Sequence, residues 1–266
     1  VFFIIIFLLL KYTCFGRYTR QRHQSGFGAP GIKKLLWMVK KSDGNFGYIE
    51  SFLSFAPIMT ESDTKQRIRK AAHDLVIQYS IRSVSMDDIA ANLGMSKKTI
   101  YQYFKDKDEL VEAVVDDVIE TNQCICNADR EKADNAVHEI FLVMDMMVEM
   151  FKTMNPSILF DMQKYHQQAF MKFQKHRNDY LYNVCRQNLE RGISEELFRP
   201  EINVEIMARY RVETMLTAFN PDFQRSLKKS LLEIEEEIII HYLFGLVTLK
   251  GYKLVLKYME HKKKNL

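Results

Sequence analysis

From Asp63 onward the chain becomes regular, with apolar residues returning every three or four positions. Ile68, Ala71, Ala72, Leu75 and Tyr79 share one face and predict an amphipathic helix over 64–79, with Asp63 and Gln66 as its cap and capping-box partner. Ser85 followed by Asp88 opens a second, short helix whose inward side is Met86, Ile89, Ala90 and Leu93. That helix stops at Gly94, which can turn left-handed without a Cβ clash, and Ser96 at once caps a third from Lys97 to about Phe104. Two helices joined by so short a turn predict a helix-turn-helix.

Helical periodicity continues to the end of the chain. A fourth helix is predicted from Lys107 to about Asn122 through Leu110, Val111, Val114, Val115 and Val118. The next covers 136–154, and Asn155-Pro156 restarts the chain as cap and first helical residue. Further helices are expected around 158–165, over 169–191 up to Gly192, from the Asn203 cap to Phe219, and after the Ser230/Glu233 capping box. With only 10 Gly and 5 Pro in 266 residues, a turn-rich β-sandwich is disfavoured, and the fold class expected is all-α.

Residues 1–58 break the pattern. They hold no sustained period, 6 of the 10 Gly, 8 of the 18 Phe, and 8 Lys/Arg against 2 acids. The apolar run Val1–Leu10 is shorter than the roughly 20 residues that cross a bilayer, and it lacks the basic residues that precede a secretory signal. We expect a leader, 1–58, that is non-native or disordered, with the true start at Met59. The rival expectation is a membrane-associating segment using Arg17, Arg20, Arg22, Lys33, Lys34, Lys40 and Lys41. Gly26-Phe27-Gly28-Ala29-Pro30-Gly31 matches a dinucleotide fingerprint, but no buried strand precedes it and no long helix follows, so it reads as coincidence. Two further segments complete the expected organisation: 59–107, with 9 bases against 6 acids, and 108–266, with 21 against 26. The positive charge is concentrated on the helix-turn-helix. Four scattered cysteines build no disulfide framework and fit a reducing cytoplasm.

On the third helix, Ile100 and Phe104 must pack inward, which leaves Lys97, Lys98, Tyr101, Gln102 and Lys105 outward. Cations for phosphates, an amide able to read an adenine edge and an aromatic ring make this a DNA face. The segment DDIAANLGMSKKTIYQYFKDKDEL (87–110) closely resembles the signature of the TetR family of bacterial transcriptional regulators, through Ile89-Ala90, Gly94-Met95-Ser96, Thr99-Ile100-Tyr101, Tyr103-Phe104, Lys107 and Leu110. The resemblance covers about 63–113. It implies a three-helix DNA-binding domain, a long fourth helix, and a larger C-terminal domain that binds an effector, tilts the fourth helix and dimerises. By the same resemblance Thr99 and Tyr101 contact bases or phosphates, Tyr103 contacts phosphate and Lys107 grips the backbone, while Lys97, Lys98 and Gln102 choose the operator. Ser85 and Ser96 complete the expected DNA-binding set.

Half of the 14 Met lie between Met144 and Met171, and Met144, Met147, Phe151, Phe160, Tyr165 and Phe170 are the residues expected to line an apolar or aromatic effector pocket. Ile239, Tyr242, Leu243 and Leu246 are expected at a homodimer interface of helices, with Gly245 allowing close approach. No nucleophile elbow, zinc-protease or P-loop pattern occurs, and Cys124 and Cys126, two apart on a helix, point roughly 200° from each other. No enzyme activity, metal or cofactor is expected. The reading is a cytoplasmic homodimeric repressor that binds a palindromic duplex operator and leaves it when a small molecule binds. The alternative is a helical small-molecule or membrane-associated sensor without DNA binding.

Overall fold

The computed structural model describes residues 61–264, so the expectations for 1–58, including the glycine motif, lie outside the described residues. The described residues make one compact unit. Among the described residues there are twelve α-helices and no strand, only an isolated antiparallel bridge between Phe198 and Val247. None of these helices is long and apolar enough to cross a membrane.

The helices are α1 Glu61–Tyr79, α2 Met86–Leu93, α3 Lys97–Tyr103, α4 Lys107–Lys132, α5 Ala136–Phe151 and α6 Ile158–Tyr165. Next come α7 Gln167–Lys175, α8 Tyr182–Ser194, α9 Val204–Thr214, α10 Pro221–Leu227, α11 Leu231–Leu246 and α12 Leu249–Lys264. A π-helical turn, His176–Leu181, joins α7 to α8, and a 3₁₀ turn, Thr217–Phe219, follows α9.

Two apolar cores organise this unit. One gathers Ile68, Ala72, Ile89, Ile100 and Phe104 with Leu110, Val111 and Val114 of α4, Met162 of α6 and Ala169 of α7. The other gathers Ala136, Val137, Phe141 and Met144 of α5 with Leu189, Ala208, Ile239, Leu243, Leu246 and Val255. The packing does not divide at residue 107, because α4, α6 and α7 complete the core of the helix-turn-helix.

Several expected boundaries move. α1 starts at Glu61, which puts Asp63 inside its first turn instead of at the cap, and α4 runs ten residues beyond the expected end. Its later residues are held from α8, where Arg191 Nη2 donates to the Ala133 carbonyl at 2.8 Å and pairs with Glu139 and Glu195. Pro156 does not open α6; Asn155 Oδ1 instead accepts from Ser157 N at 2.9 Å, and the helix begins at Ile158. The helix expected over 169–191 runs without a gap from Gln167 to Ser194 but changes to π winding over His176–Leu181. The one expected from Asn203 ends at Thr214, and Asn220-Pro221 opens α10, with Asn220 Oδ1 accepting from Asp222 N and Phe223 N.

Ile239, Tyr242, Leu243 and Leu246 are at most 6% exposed, so the four residues expected at a dimer interface pack into their own chain's core. The breadth of apolar surface on α11 is explained by α5 and the 3₁₀ turn Thr217–Phe219 packing on it within one chain. Gly245 faces open space, whereas a Cβ at Gly251 would come 2.2 Å from the Leu197 carbonyl oxygen, so Gly251 is where close approach excludes a side chain. Arg211 of α9 and Glu235 of α11 form a buried ion pair at 2.8 Å, with Arg211 Nη1 and Glu235 Oε2 left without partners. Burial raises the Glu235 carboxyl against the opposing pull of Arg211.

Candidate nucleic-acid interface

The reading helix is aimed by local chemistry on both sides of its turn. At the start of α2, Ser85 Oγ accepts from Asp88 N at 3.2 Å, while the Asp88 carboxylate accepts from Ser85 N at 2.8 Å and from its hydroxyl at 2.6 Å. These hydrogen bonds hold the Asp88 carboxyl below its ordinary range. α2 ends at Gly94, φ 64° and ψ 29°, where Gly94 N donates to Ala91 O and Met95 N to Ala90 O. Ser96 Oγ then accepts from Thr99 N at 3.1 Å to start α3. On the other side, Phe104 caps α3 in an extended conformation, and Ile100 and Phe104, 0% and 1% exposed, anchor it in the core.

With that anchor set, Lys97, Lys98, Tyr101, Gln102 and Lys105 are all exposed, as their spacing predicts, and Tyr101 is 43% exposed. Thr99 and Tyr103 are half-buried. Electrostatics separate the lysines. Lys97 Nζ lies 2.9 Å from Asp87 Oδ2, a hydrogen bond and charge pair that raises its pKa, and Asp87 offsets part of its attraction for phosphate. Lys98 forms no ion pair with any described residue, so its charge is the more available one. Ser85 and Ser96 are exposed, yet their hydroxyls already serve caps; Ser96 Oγ lies 2.9 Å from Thr99 Oγ1.

Lys107 departs from expectation. Instead of standing free at the start of α4, its ammonium turns back and donates to the Ile81 carbonyl at 2.6 Å. Burial lowers its pKa, against the fields of Asp161, Asp108 and Asp88. Sequence reasoning also missed three residues beside it. Asp161 Oδ2 accepts from Ser80 Oγ at 2.6 Å and from Arg82 N at 3.1 Å, and the Arg82 guanidinium lies 5.7 Å from the Tyr165 ring centre. Those partners are about eighty residues apart in sequence, beyond any local pattern.

The six residues expected around an effector do not converge. Met144, Met147 and Phe151 are buried in the C-terminal core, Phe170 leans on Phe173 beside the other core, and Phe160 and Tyr165 are 48% and 42% exposed around the Lys164 ammonium. Two cavities open elsewhere. One of about 560 Å³ is lined by Tyr182, Glu205, Ile206, Arg209, Tyr210 and Glu213. Another of about 280 Å³ lies between α4 and the π turn, where His176 Nε2 meets Asn122 Oδ1 at 2.9 Å and stacks on Tyr180. Among the described residues no cluster of His, Cys, Asp and Glu could hold a metal ion.

A capped, seven-residue helix presenting cations, an amide and a phenol beyond a left-handed glycine turn defines a helix-turn-helix of the DNA-binding class. Residues 68–114 match the family described as "Bacterial regulatory proteins, tetR family". The matched segment, which spans the helix-turn-helix, is similar to the DNA-binding module of that family. It is 31% identical over 124 residues to YvaF of Bacillus subtilis, described as an uncharacterized HTH-type transcriptional regulator; the match covers 44% of this chain and 65% of YvaF, just under two thirds of the relative's length. The fold is similar to that of reduced NemR from Escherichia coli, with TM-score 0.58 and 14% identity over 70% of this chain and 98% of NemR. It is also similar to a regulator from Saccharomonospora viridis solved in complex with choline, with TM-score 0.56 and 13% identity over 71% of this chain and 100% of that one.

Proposed function

We propose that this chain is a sequence-specific transcriptional regulator, a repressor that binds a palindromic DNA operator as a homodimer and leaves it when a small molecule binds the C-terminal helices. The observation that carries this reading is the outward face of α3, with Lys98, Tyr101 and Gln102 exposed on a helix whose opposite side is anchored by Ile100 and Phe104. Inserted in a major groove, Gln102 can pair with an adenine edge, Tyr101 can meet a thymine methyl or a phosphate, and the lysines can replace counterions. No chemical step is required of any side chain in this role.

A second copy finds an apolar stripe on α12, where Leu249, Tyr252 and Leu256 recur at helical spacing with exposures of 72%, 44% and 40%. Tyr252 lies against Phe244 of α11, ring centres 5.5 Å apart, which extends the stripe across both final helices. We assign the homodimer interface to this face, in place of the buried α11 residues.

The test is selection of bound duplexes from a random pool with the full chain. Recovered sites should contain two inverted half-sites about one helical turn apart, and affinity should fall by at least about tenfold between 50 and 200 mM salt. Tyr101→Ala should weaken binding to every recovered site, while Gln102→Ala should change which bases are preferred. A pool that yields no enriched duplex, or preferences that ignore Gln102, overturns the reading.

A further inference from the structure

The reading head, α2 and α3 on the core beneath them, carries one carboxylate that reaches across its turn. Asp87 lies in the first turn of α2, Lys97 opens α3, and Asp87 Oδ2 stands 2.9 Å from Lys97 Nζ. Neighbouring acids are spent on the backbone: Asp88 accepts from Ser85 N, Asp106 from Glu109 N, and Glu109 from Lys105 N. Asp88 already fills the capping box, so α2 does not need a second acid to start. Nor is Asp87 needed to set α2 against α3, since the Gly94 turn fixes the bend and Ile89 and Ile100 are buried in one core. The Asp87 and Lys97 side chains are 62% and 53% exposed, and exposed pairs of this kind add little to stability.

A carboxylate on this face opposes phosphate, so its place there calls for a reason within the groove. Recognition helices bring their N-terminal residues to base edges, and Lys97 is the first residue of α3. The field of Tyr101, one turn along, acts on the same ammonium, so the pair belongs to the face that Tyr101 marks. Base chemistry supplies the reason. Within a G·C pair cytosine N4 donates to guanine O6, so that donor and acceptor stand about 2.9 Å apart on the major-groove edge. Lys97 and Asp87 present a donor and an acceptor at the matching spacing of 2.9 Å. An ammonium on guanine also gains the N7 acceptor beside O6. At an A·T pair the order of polar groups reverses, which puts the carboxylate beside adenine N7 and the ammonium beside the thymine methyl.

We propose that Asp87 is a specificity-determining residue: with Lys97 it reads one G·C pair, the ammonium donating to guanine O6 and N7 and the carboxylate accepting from cytosine N4. At any other base pair the carboxylate is left against acceptors or phosphate, so Asp87 discriminates by repulsion as well as by attraction. It also holds the Lys97 ammonium back from phosphates that carry no sequence information. Lys98, which forms no ion pair with any described residue, is left to bind the DNA backbone. The inference rests on the DNA-binding reading.

The experiment uses the full chain, unaltered and as Asp87→Ala and Lys97→Ala, in selection of bound duplexes from a random pool. Affinities are then measured for the best recovered duplex, for that duplex changed one base pair at a time, and for random duplex. One position of the half-site should be G·C for the unaltered chain, and both variants should lose about fivefold or more of the preference there while keeping it elsewhere. Asp87→Ala should hold random duplex at least as tightly as the unaltered chain, because it removes a negative charge from the DNA face, whereas Lys97→Ala should hold it more weakly. Preferences unmoved by Asp87→Ala, a loss at a different position from that of Lys97→Ala, or a shared position that is not G·C overturns the proposal and leaves the DNA reading standing. So does a general weakening of Asp87→Ala on every duplex, which is what a merely structural role would give. If the unaltered chain enriches no duplex, the DNA reading fails and the proposal falls with it.

Discussion

Gly94 and Ser80 both adopt positive φ, at 64° and 71°, but only one is a glycine. At Gly94 an added Cβ would meet nothing within 4 Å, so Gly94→Ala tests backbone strain without crowding. The left-handed conformation costs an ordinary residue about 1 kcal/mol or slightly more, and that loss should appear as a lower urea midpoint with an unchanged slope. At Ser80 the same strain is offset by a buried hydroxyl bonded to Asp161. The glycine turn was legible in the sequence because a glycine, a serine cap and an apolar anchor fall within a few residues. The serine turn was not, because its justification lies on a different helix. Lys107 shows the same limit: its position at the head of α4 was readable, but the direction of its ammonium depends on the Ile81 carbonyl.

Helix starts were more legible than helix ends. Ser85, Ser96, Asn203 and Ser230 each cap the helix expected of them, since a cap and its partner lie within three residues. Ends depend on tertiary contacts such as Arg191 on the Ala133 carbonyl, which lets α4 run on to Lys132. The Ser230 box makes a pH prediction. Glu233 accepts from Ser230 N and pairs with Lys229, and the hydrogen bond from Lys229, followed by those from Ser230, lowers its pKa from 4.5 to about 2. A carboxyl depressed in the folded state stabilises the fold fully above its ordinary value and loses that contribution as pH falls through the folded value. Urea midpoints should therefore drop between about pH 4.5 and 2, and Glu233→Gln should flatten the part of that drop due to this box.

At the scale of the molecule, the two cores share one continuous unit, and the proposed assembly rests on the surface left over. Leu243 is fully buried and Leu249 is 72% exposed, although both lie on the final pair of helices. Leu249→Glu combined with Leu256→Glu should leave a folded chain that sediments as a monomer, whereas Leu243→Glu should lower thermal stability whatever the assembly state. A dimer that survives the paired substitution would move the interface to another face. The all-α class and the helix-turn-helix could be read from the chain because they are written in local spacing. The proposed dimer face and the cavities could not, because apolar spacing marks a buried stripe without saying which neighbour covers it. That neighbour for α11 is the same chain.

The wide turn at 176–181 sets the phase of everything after it. Regular α-helix advances about 100° per residue, so a turn that closes one residue late leaves α7 and α8 running in sequence but rotated relative to a single unbroken helix. Ala169 faces the reading-head core while Leu189, twenty residues on, faces the C-terminal one, and Asn188 Nδ2 reaches the Ala136 carbonyl at 3.0 Å. The length of this nearly continuous rod, more than the surplus residue in its winding, lets it serve two hydrophobic interiors.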